Sequence, residues 1–122
     1  INSSIIADGC KIENATIKES VIGLRSVIQS GSNLERVIMM GSDYYENRDD
    51  IERLNVRHLP KIGIGKKCTL KNVIIDKNVR IGNEVTIVNK KKIQHQDSEF
   101  YCIRDGIVII PKNTVVKSGT II

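Results

Sequence analysis

The chain has 122 residues, 40% of them hydrophobic, and a formal net charge of +5 from 19 Lys and Arg against 14 Asp and Glu. One Phe, three Tyr and no Trp leave no interleaved aromatics to stack bases, which argues against single-stranded nucleic acid, and no basic amphipathic helix or long apolar run points to a membrane. The size suits one domain with its own core, and small phosphate-bearing anions are the best functional use of the charge beyond solubility.

The cysteines are Cys10, Cys68 and Cys102, an odd number without CxxC or CxH spacing. That argues against a disulfide framework and a structural zinc site and fits a reducing compartment. There is no signal sequence, and the start at Ile1 without an initiator Met suggests a piece of a longer polypeptide.

Along the chain, Ile6, Ile12, Ile17, Ile22, Ile28, Leu34 and Met39 recur at steps of five or six residues. Residues 41–61 break the rhythm and read as an inserted loop, in which Asp49-Asp50-Ile51-Glu52-Arg53-Leu54 predicts a short helix with an Asp cap. The pattern resumes with Ile64, Leu70, Ile75, Ile81 and Ile87. A second inserted loop, 89–105, is polar, carries Lys90-Lys91-Lys92 and holds most of the remaining aromatics. Ile110, Val116 and Ile122 complete the series. Loops of this length in a compact domain are usually functional or interacting.

Neither a helical period near 3.6 nor simple alternation gives a spacing of six, whereas a parallel β-helix does. Each hexad makes a short strand and a corner, and three hexads make a triangular coil. The aliphatic residue points inward. A small residue four places later (Cys10, Ser26, Ser32, Cys68, Thr114) fits where the corner narrows. Asp8-Gly9, Lys77-Asn78, Gly82-Asn83 and Ser118-Gly119 mark corners, because these residue types tolerate turn geometry. Three buried aliphatics contribute roughly 5–9 kcal/mol per coil, and ordering about seventeen residues costs roughly 1–2 kcal/mol each. A lone coil therefore fails, and about five stacked coils are needed. The fold class read from the chain is all-β: a single-stranded left-handed parallel β-helix of about five coils with two long inserted loops, filling 1–122. Hexapeptide coils of this kind wind left-handed, an exception to the usual right-handed crossover that spacing alone does not dictate. Both prism ends would need a cap or a partner.

Lys77 and Lys112 occupy the same hexad place, two after the aliphatic residue and just before Asn, and so project from corners. If their corners share an edge or lie on neighbouring edges, two ammonium groups converge on one phosphate. The alternative is an ordinary solvated corner lysine for each. Arg25, Arg80 and Arg104 are lesser candidates for a phosphate or interdomain contact, with solvated corners as the alternative, and Lys90–Lys92 reads as a solvated loop.

Three segments carry a more specific signal: Ser20-Val21-Ile22-Gly23-Leu24-Arg25-Ser26 followed by Met40-Gly41-Ser42-Asp43-Tyr44-Tyr45-Glu46; Ile62-Gly63-Ile64-Gly65 through Ile74-Ile75-Asp76-Lys77-Asn78-Val79-Arg80-Ile81-Gly82 to Val88-Asn89-Lys90; and Ile103 through Asn113, closing with Ser118-Gly119-Thr120-Ile121-Ile122. Together they resemble the C-terminal β-helix domain of plant and cyanobacterial glucose-1-phosphate adenylyltransferases (ADP-glucose pyrophosphorylases) over essentially the whole chain. That family makes ADP-glucose and pyrophosphate from ATP and glucose 1-phosphate for starch or glycogen synthesis. The resemblance implies a regulatory and oligomerisation domain with no catalytic residues and no cofactor or metal of its own; catalysis, and the parent enzyme's Mg²⁺, belong to an N-terminal nucleotidyltransferase domain outside this sequence. Implied partners are that catalytic domain, the other subunits of a homo- or hetero-tetramer, and small phosphate effectors: 3-phosphoglycerate as activator, phosphate as inhibitor. By motif, the effector lysines fall on Lys77 and Lys112. Pro111 departs from the family pattern, and a displaced Lys112 corner is expected from it. Plastid and bacterial cytoplasm both fit.

Three other readings stay open here. A hexapeptide acyltransferase would use His58 or His95 as general base, and a zinc carbonic anhydrase on this scaffold would need more well-placed histidines. A purely structural assembly domain of the same family is the third. Cys10 and Cys68 are expected at tight interior positions, with Cys102 at the end of a loop.

Overall fold

The computed structural model describes residues 1–122. In chain order the strands are β1 (Ile5–Ile6), β2 (Lys11–Ile12), β3 (Thr16–Lys18), β4 (Val21–Ile22), β5 (Val27–Ile28) and β6 (Asn33–Met39). The first insertion carries helix α1 (Arg48–Val56). Then follow β7 (Gly63–Ile64), β8 (Thr69–Ile75), β9 (Arg80–Ile81), β10 (Thr86–Ile87), β11 (His95–Asp97), β12 (Cys102–Arg104), β13 (Ile107–Ile110) and β14 (Val115–Val116).

Parallel pairing sorts the coil strands into three faces of a prism. On the first face β1, β4, the second halves of β6 and β8, and β13 stack Ile6, Ile22, Met39, Ile75 and Ile110. The second face joins β2, β5, β7, β9 and β14 and stacks Ile12, Ile28, Ile64, Ile81 and Val116. The third joins β3, the first halves of β6 and β8, and β10, and stacks Ile17, Leu34, Leu70 and Ile87. A bridge from Thr86 to Ile121 sets Ile122 below them. The fifteen aliphatic positions read from the spacing are these three columns of five, so the five coils are as expected. The columns form one core, closed by small residues such as Ser26, Ser32 and Cys68 at the narrow corners.

Coils approach closely where a glycine follows the inward aliphatic. A Cβ on Gly65 would stand 2.3 Å from the Gly82 carbonyl oxygen of the next coil. Corners on one edge also repeat their backbone conformation, and left-handed residues recur along it: Gly9, Arg25, Asn78 and Asn113 all have positive φ.

The outer surfaces of the faces differ. On the first face Ile5, Val21, Ile38, Ile74 and Ile109 form a register-paired apolar column. On the third, Thr16, Asn33, Thr69 and Thr86 alternate with Lys18, Glu35 and Lys71, a polar, solvated surface. The first insertion is tied to the second face through Arg80 of β9, which donates to Glu46 and to the Pro60 carbonyl.

That insertion leaves at Gly41 and carries the expected helix, but its cap is Asn47. The Asn47 side chain accepts from the Asp50 N–H at 2.8 Å while the Asp50 carboxylate accepts from the Asn47 N–H at 3.0 Å, a reciprocal capping box. The expected Asp cap is thereby corrected: Asp50 sits at the third helical position, where its carboxylate reaches back.

The second insertion is also not simply a loop. β11 pairs antiparallel with β12, and β12 antiparallel with β13, extending the first-face sheet past the fifth coil. The missed signal is Asp105-Gly106, both at positive φ, between Cys102-Ile103-Arg104 and the β-branched run Ile107–Ile110, a two-residue hairpin turn. Ile103 is buried, and Ile93, Phe100 and Tyr101 pack against the core, so this insertion covers the prism at its fifth coil.

Candidate functional site

The structure brings Lys77 and Lys112 to one edge, where the first and second faces meet, in adjacent coils. The Asn113 N–H donates to the Lys77 carbonyl at 3.0 Å and the Asn78 N–H to the Gly41 carbonyl at 3.1 Å, which stacks Lys112 on Lys77 on Gly41. Both lysines are exposed. Pro111 does not displace the corner. Residues at its hexad place donate to the next coil's carbonyl: Ala7 to Ile22, Gly23 to Met39, Met40 to Ile75, Asp76 to Ile110. Pro111 is in the fifth coil, so the donor it lacks has no sixth-coil carbonyl to meet. The expectation of a displaced Lys112 corner is corrected accordingly.

Arg25 belongs to the same edge two coils earlier and donates from Nε to the Ser42 carbonyl at 2.8 Å. Between the arginine and the lysines stands a carboxylate that sequence reasoning missed. Asp43 Oδ1 lies 3.3 Å from Lys77 Nζ, and its Oδ2 accepts from Asn78 Nδ2 at 3.0 Å. The Asn78 and Lys77 hydrogen bonds, with the charges of Lys77 and Lys112, hold the Asp43 carboxyl below its ordinary value of 3.8. A lowered carboxyl pKa means the pair is complete above the ordinary carboxylate range and is lost only as pH falls through the lowered value, so Asp43 stays charged from about pH 5 to 8. Any anion that binds the two lysines meets this internal counter-ion.

The segment Gly41–Glu46 is the clasp of the first insertion. Tyr45 donates to the Gly9 carbonyl at 2.8 Å. Glu46 accepts from the Ile62 N–H at 2.6 Å and pairs with Arg80 at 2.8 Å. Arg80 also donates to the Pro60 carbonyl at 3.1 Å. The Arg80 and Glu46 side chains are only 19% and 8% exposed, so Arg80 is a tie for the insertion and not a solvated corner. The Ser42 hydroxyl is buried without a partner beside a cavity of about 180 Å³ under Tyr44 and Tyr45.

Arg104 lies far along the hairpin, bound to Asp97 and the Gln96 carbonyl; the Asp97 contact raises its pKa. It does not join the lysine edge. His95 sits on β11 at 3.8 Å from Asp105, and His58 follows α1 in the other insertion, so the two histidines lie on separate insertions. No three His, Cys, Asp or Glu gather to hold a metal. All three cysteines are free. Cys68 is fully buried and burial pushes its thiol pKa up; Cys10 and Cys102 are half-buried. No helix is long and apolar enough to cross a membrane.

A family model for the GLGC left-handed parallel beta-helix domain matches residues 1–121. The glucose-1-phosphate adenylyltransferase small subunit, chloroplastic/amyloplastic, of Triticum aestivum is 42% identical over 124 aligned residues, covering 100% of this chain and 26% of the wheat protein. The chain thus spans about a quarter of that relative's length. The parallel coil stacking agrees with that match over nearly every residue, and the chain belongs to the GLGC left-handed parallel β-helix domain family.

Proposed function

We propose that this domain is the regulatory and assembly part of a glucose-1-phosphate adenylyltransferase, a plastid enzyme like its wheat relative, and that Lys77 and Lys112 bind a small phosphate-bearing effector. The observation that carries the effector role is the stacking of the two lysines on one edge in adjacent coils. Lysine binds phosphate as a compact point charge, and Arg25 on the same edge keeps guanidinium donors beyond its single Nε bond. Asp43 acts as a resident anion that the effector displaces from Lys77.

The first-face apolar column supports the assembly role. Ile5 is 69% exposed and Val21 and Ile38 are 43% exposed, a contiguous aliphatic strip of the kind that marks a docking surface. Its occupant is the rest of the same polypeptide, given that three quarters of the wheat relative lies outside the matched region. ADP-glucose synthesis belongs to that other part, and this domain modulates it as one subunit of a tetramer.

The test is 3-phosphoglycerate activation of the full-length enzyme carrying Lys77→Ala or Lys112→Ala. Each variant is expected to keep its unstimulated synthesis and to need about tenfold more activator, the loss of one charge-assisted contact. Unchanged activation in both variants would make them surface lysines and leave the domain an assembly scaffold.

A further inference from the structure

A second cationic site lies on a different edge. Where the second and third faces meet, a groove of about 540 Å³ opens between the coils and the end of α1. The insertion contributes Arg57, His58 and Lys61 to its wall; the coils contribute Lys66 and Lys117. No Asp or Glu lines it. None of these five side chains has a carboxylate within ion-pairing distance, in contrast to Lys77 with Asp43.

The groove is built on ordered backbone. On the coil side the Lys66 N–H donates to Asn83 Oδ1 at 2.9 Å and the Asn83 N–H to Ser118 Oγ at 2.9 Å, which locks three successive corners together. On the insertion side, the Leu59 N–H donates to the Leu54 carbonyl and the His58 N–H to the Asn55 carbonyl, the two bonds of a Schellman helix end. His58 holds the left-handed position of that motif at φ 57, where glycine is the usual residue. That turn sets the imidazole beside Arg57 and Lys61 on the insertion wall of the groove.

We infer that this groove binds a small anion carrying two phosphate groups, at a site separate from the Lys77–Lys112 edge. Each phosphate monoester carries about −1.5 to −2 at neutral pH, so two of them neutralise the four permanent cations. The volume falls within the ordinary range for small-ligand sites. No Phe, Tyr or Trp lines the groove, so it offers no platform for a nucleobase, and a pyrophosphate or a sugar bisphosphate fits it better than a nucleotide. The cations stand on two walls, Arg57, His58 and Lys61 on one and Lys66 and Lys117 on the other, which suits a ligand with a phosphate at each end.

The experiment is hydrogen exchange of the full-length polypeptide that carries this domain, with inorganic pyrophosphate as the probe, read on peptides covering 55–66 and 115–118. At ten times its Kd, a ligand slows exchange through openings that destroy its site about tenfold. That slowing is expected in the wild type and in the Lys77→Ala/Lys112→Ala double variant, and it disappears in Lys66→Ala/Lys117→Ala. Lys66→Gln/Lys117→Gln repeats the test with side chains of similar reach, and an unchanged melting temperature in that variant ties the loss to charge. Three outcomes overturn the inference: no slowing in the wild type, slowing that survives removal of Lys66 and Lys117, or peptides already protected without anion and unresponsive to it, which would mean that another part of the polypeptide fills the groove. Loss in the Lys77→Ala/Lys112→Ala variant alone would assign the effect to the other edge and overturn this one.

Discussion

The two insertions interrupt one prism but are held to it by different physics. The first, 41–61, is fastened to the prism by polar ties: the Arg80–Glu46 pair, the Tyr45 hydroxyl on the Gly9 carbonyl, and the Arg25 Nε on the Ser42 carbonyl. The second, 89–105, continues the first-face sheet and is fastened by strand pairing and by Ile103 in the core. Polar ties depend on both partners being present, because removing one leaves a shielded charge uncompensated. Apolar burial fails in proportion to the volume removed. The difference follows what each insertion does. The first carries Asp43 to the lysine edge and the end of α1 to the cationic groove, so its residues must be positioned with direction. The second covers an end of the core, where shape matters more than orientation.

The sharpest way to break this comparison is Glu46→Ala. It leaves Arg80 shielded and unpaired, and a loss of about 3–5 kcal/mol is expected in urea unfolding. The paired replacement Glu46→Leu with Arg80→Met should recover most of it; no recovery would mean that the clasp works through the Ile62 N–H bond instead. Ile103→Ala should cost about 3 kcal/mol by the same measurement, and no paired substitution at a polar partner can restore it. Asn47→Ala removes the cap of α1 and should cost about 1 kcal/mol, seen as faster amide exchange confined to residues 48–57. The smallest effect sharpens the functional side: Asp43→Asn frees Lys77 and should tighten activator binding by about two- to fivefold in the full-length enzyme, the scale of an exposed ion pair. The pH dependence of activation between about 5 and 8 should be unaltered by that substitution, because Asp43 is charged throughout this range in the wild type. Weaker binding in Asp43→Asn would show the carboxylate to be an organiser of the lysines and not their competitor.

The inward columns were legible from spacing alone. Within each uninterrupted run the aliphatics from Ile6 to Ile122 recur at steps of five or six because each face of a triangular coil takes one inward aliphatic. The interruptions at 41–61 and 89–105 were legible for the same reason, as the absence of that demand. Lys77 and Lys112 could be recognised as corner residues from their common place before Asn.

Other features depend on how the coils stack and were not written locally. Spacing shows that a residue is at a corner, but the insertion of seventeen residues between their two coils hides which corners coincide, so only the folded prism puts Lys112 on Lys77. Asp43 and Lys77 are thirty-four positions apart, as are Glu46 and Arg80, and no local pattern announces either pair. The groove of Lys66 and Lys117 with Arg57, His58 and Lys61 is of the same kind, assembled from two coils and an insertion. Hydrophobic periodicity is a local property, set residue by residue by the need to bury one aliphatic per hexad. Charge pairing is a property of distance in space, and it emerges when the parallel ladders bring separate coils to within a few ångströms of each other.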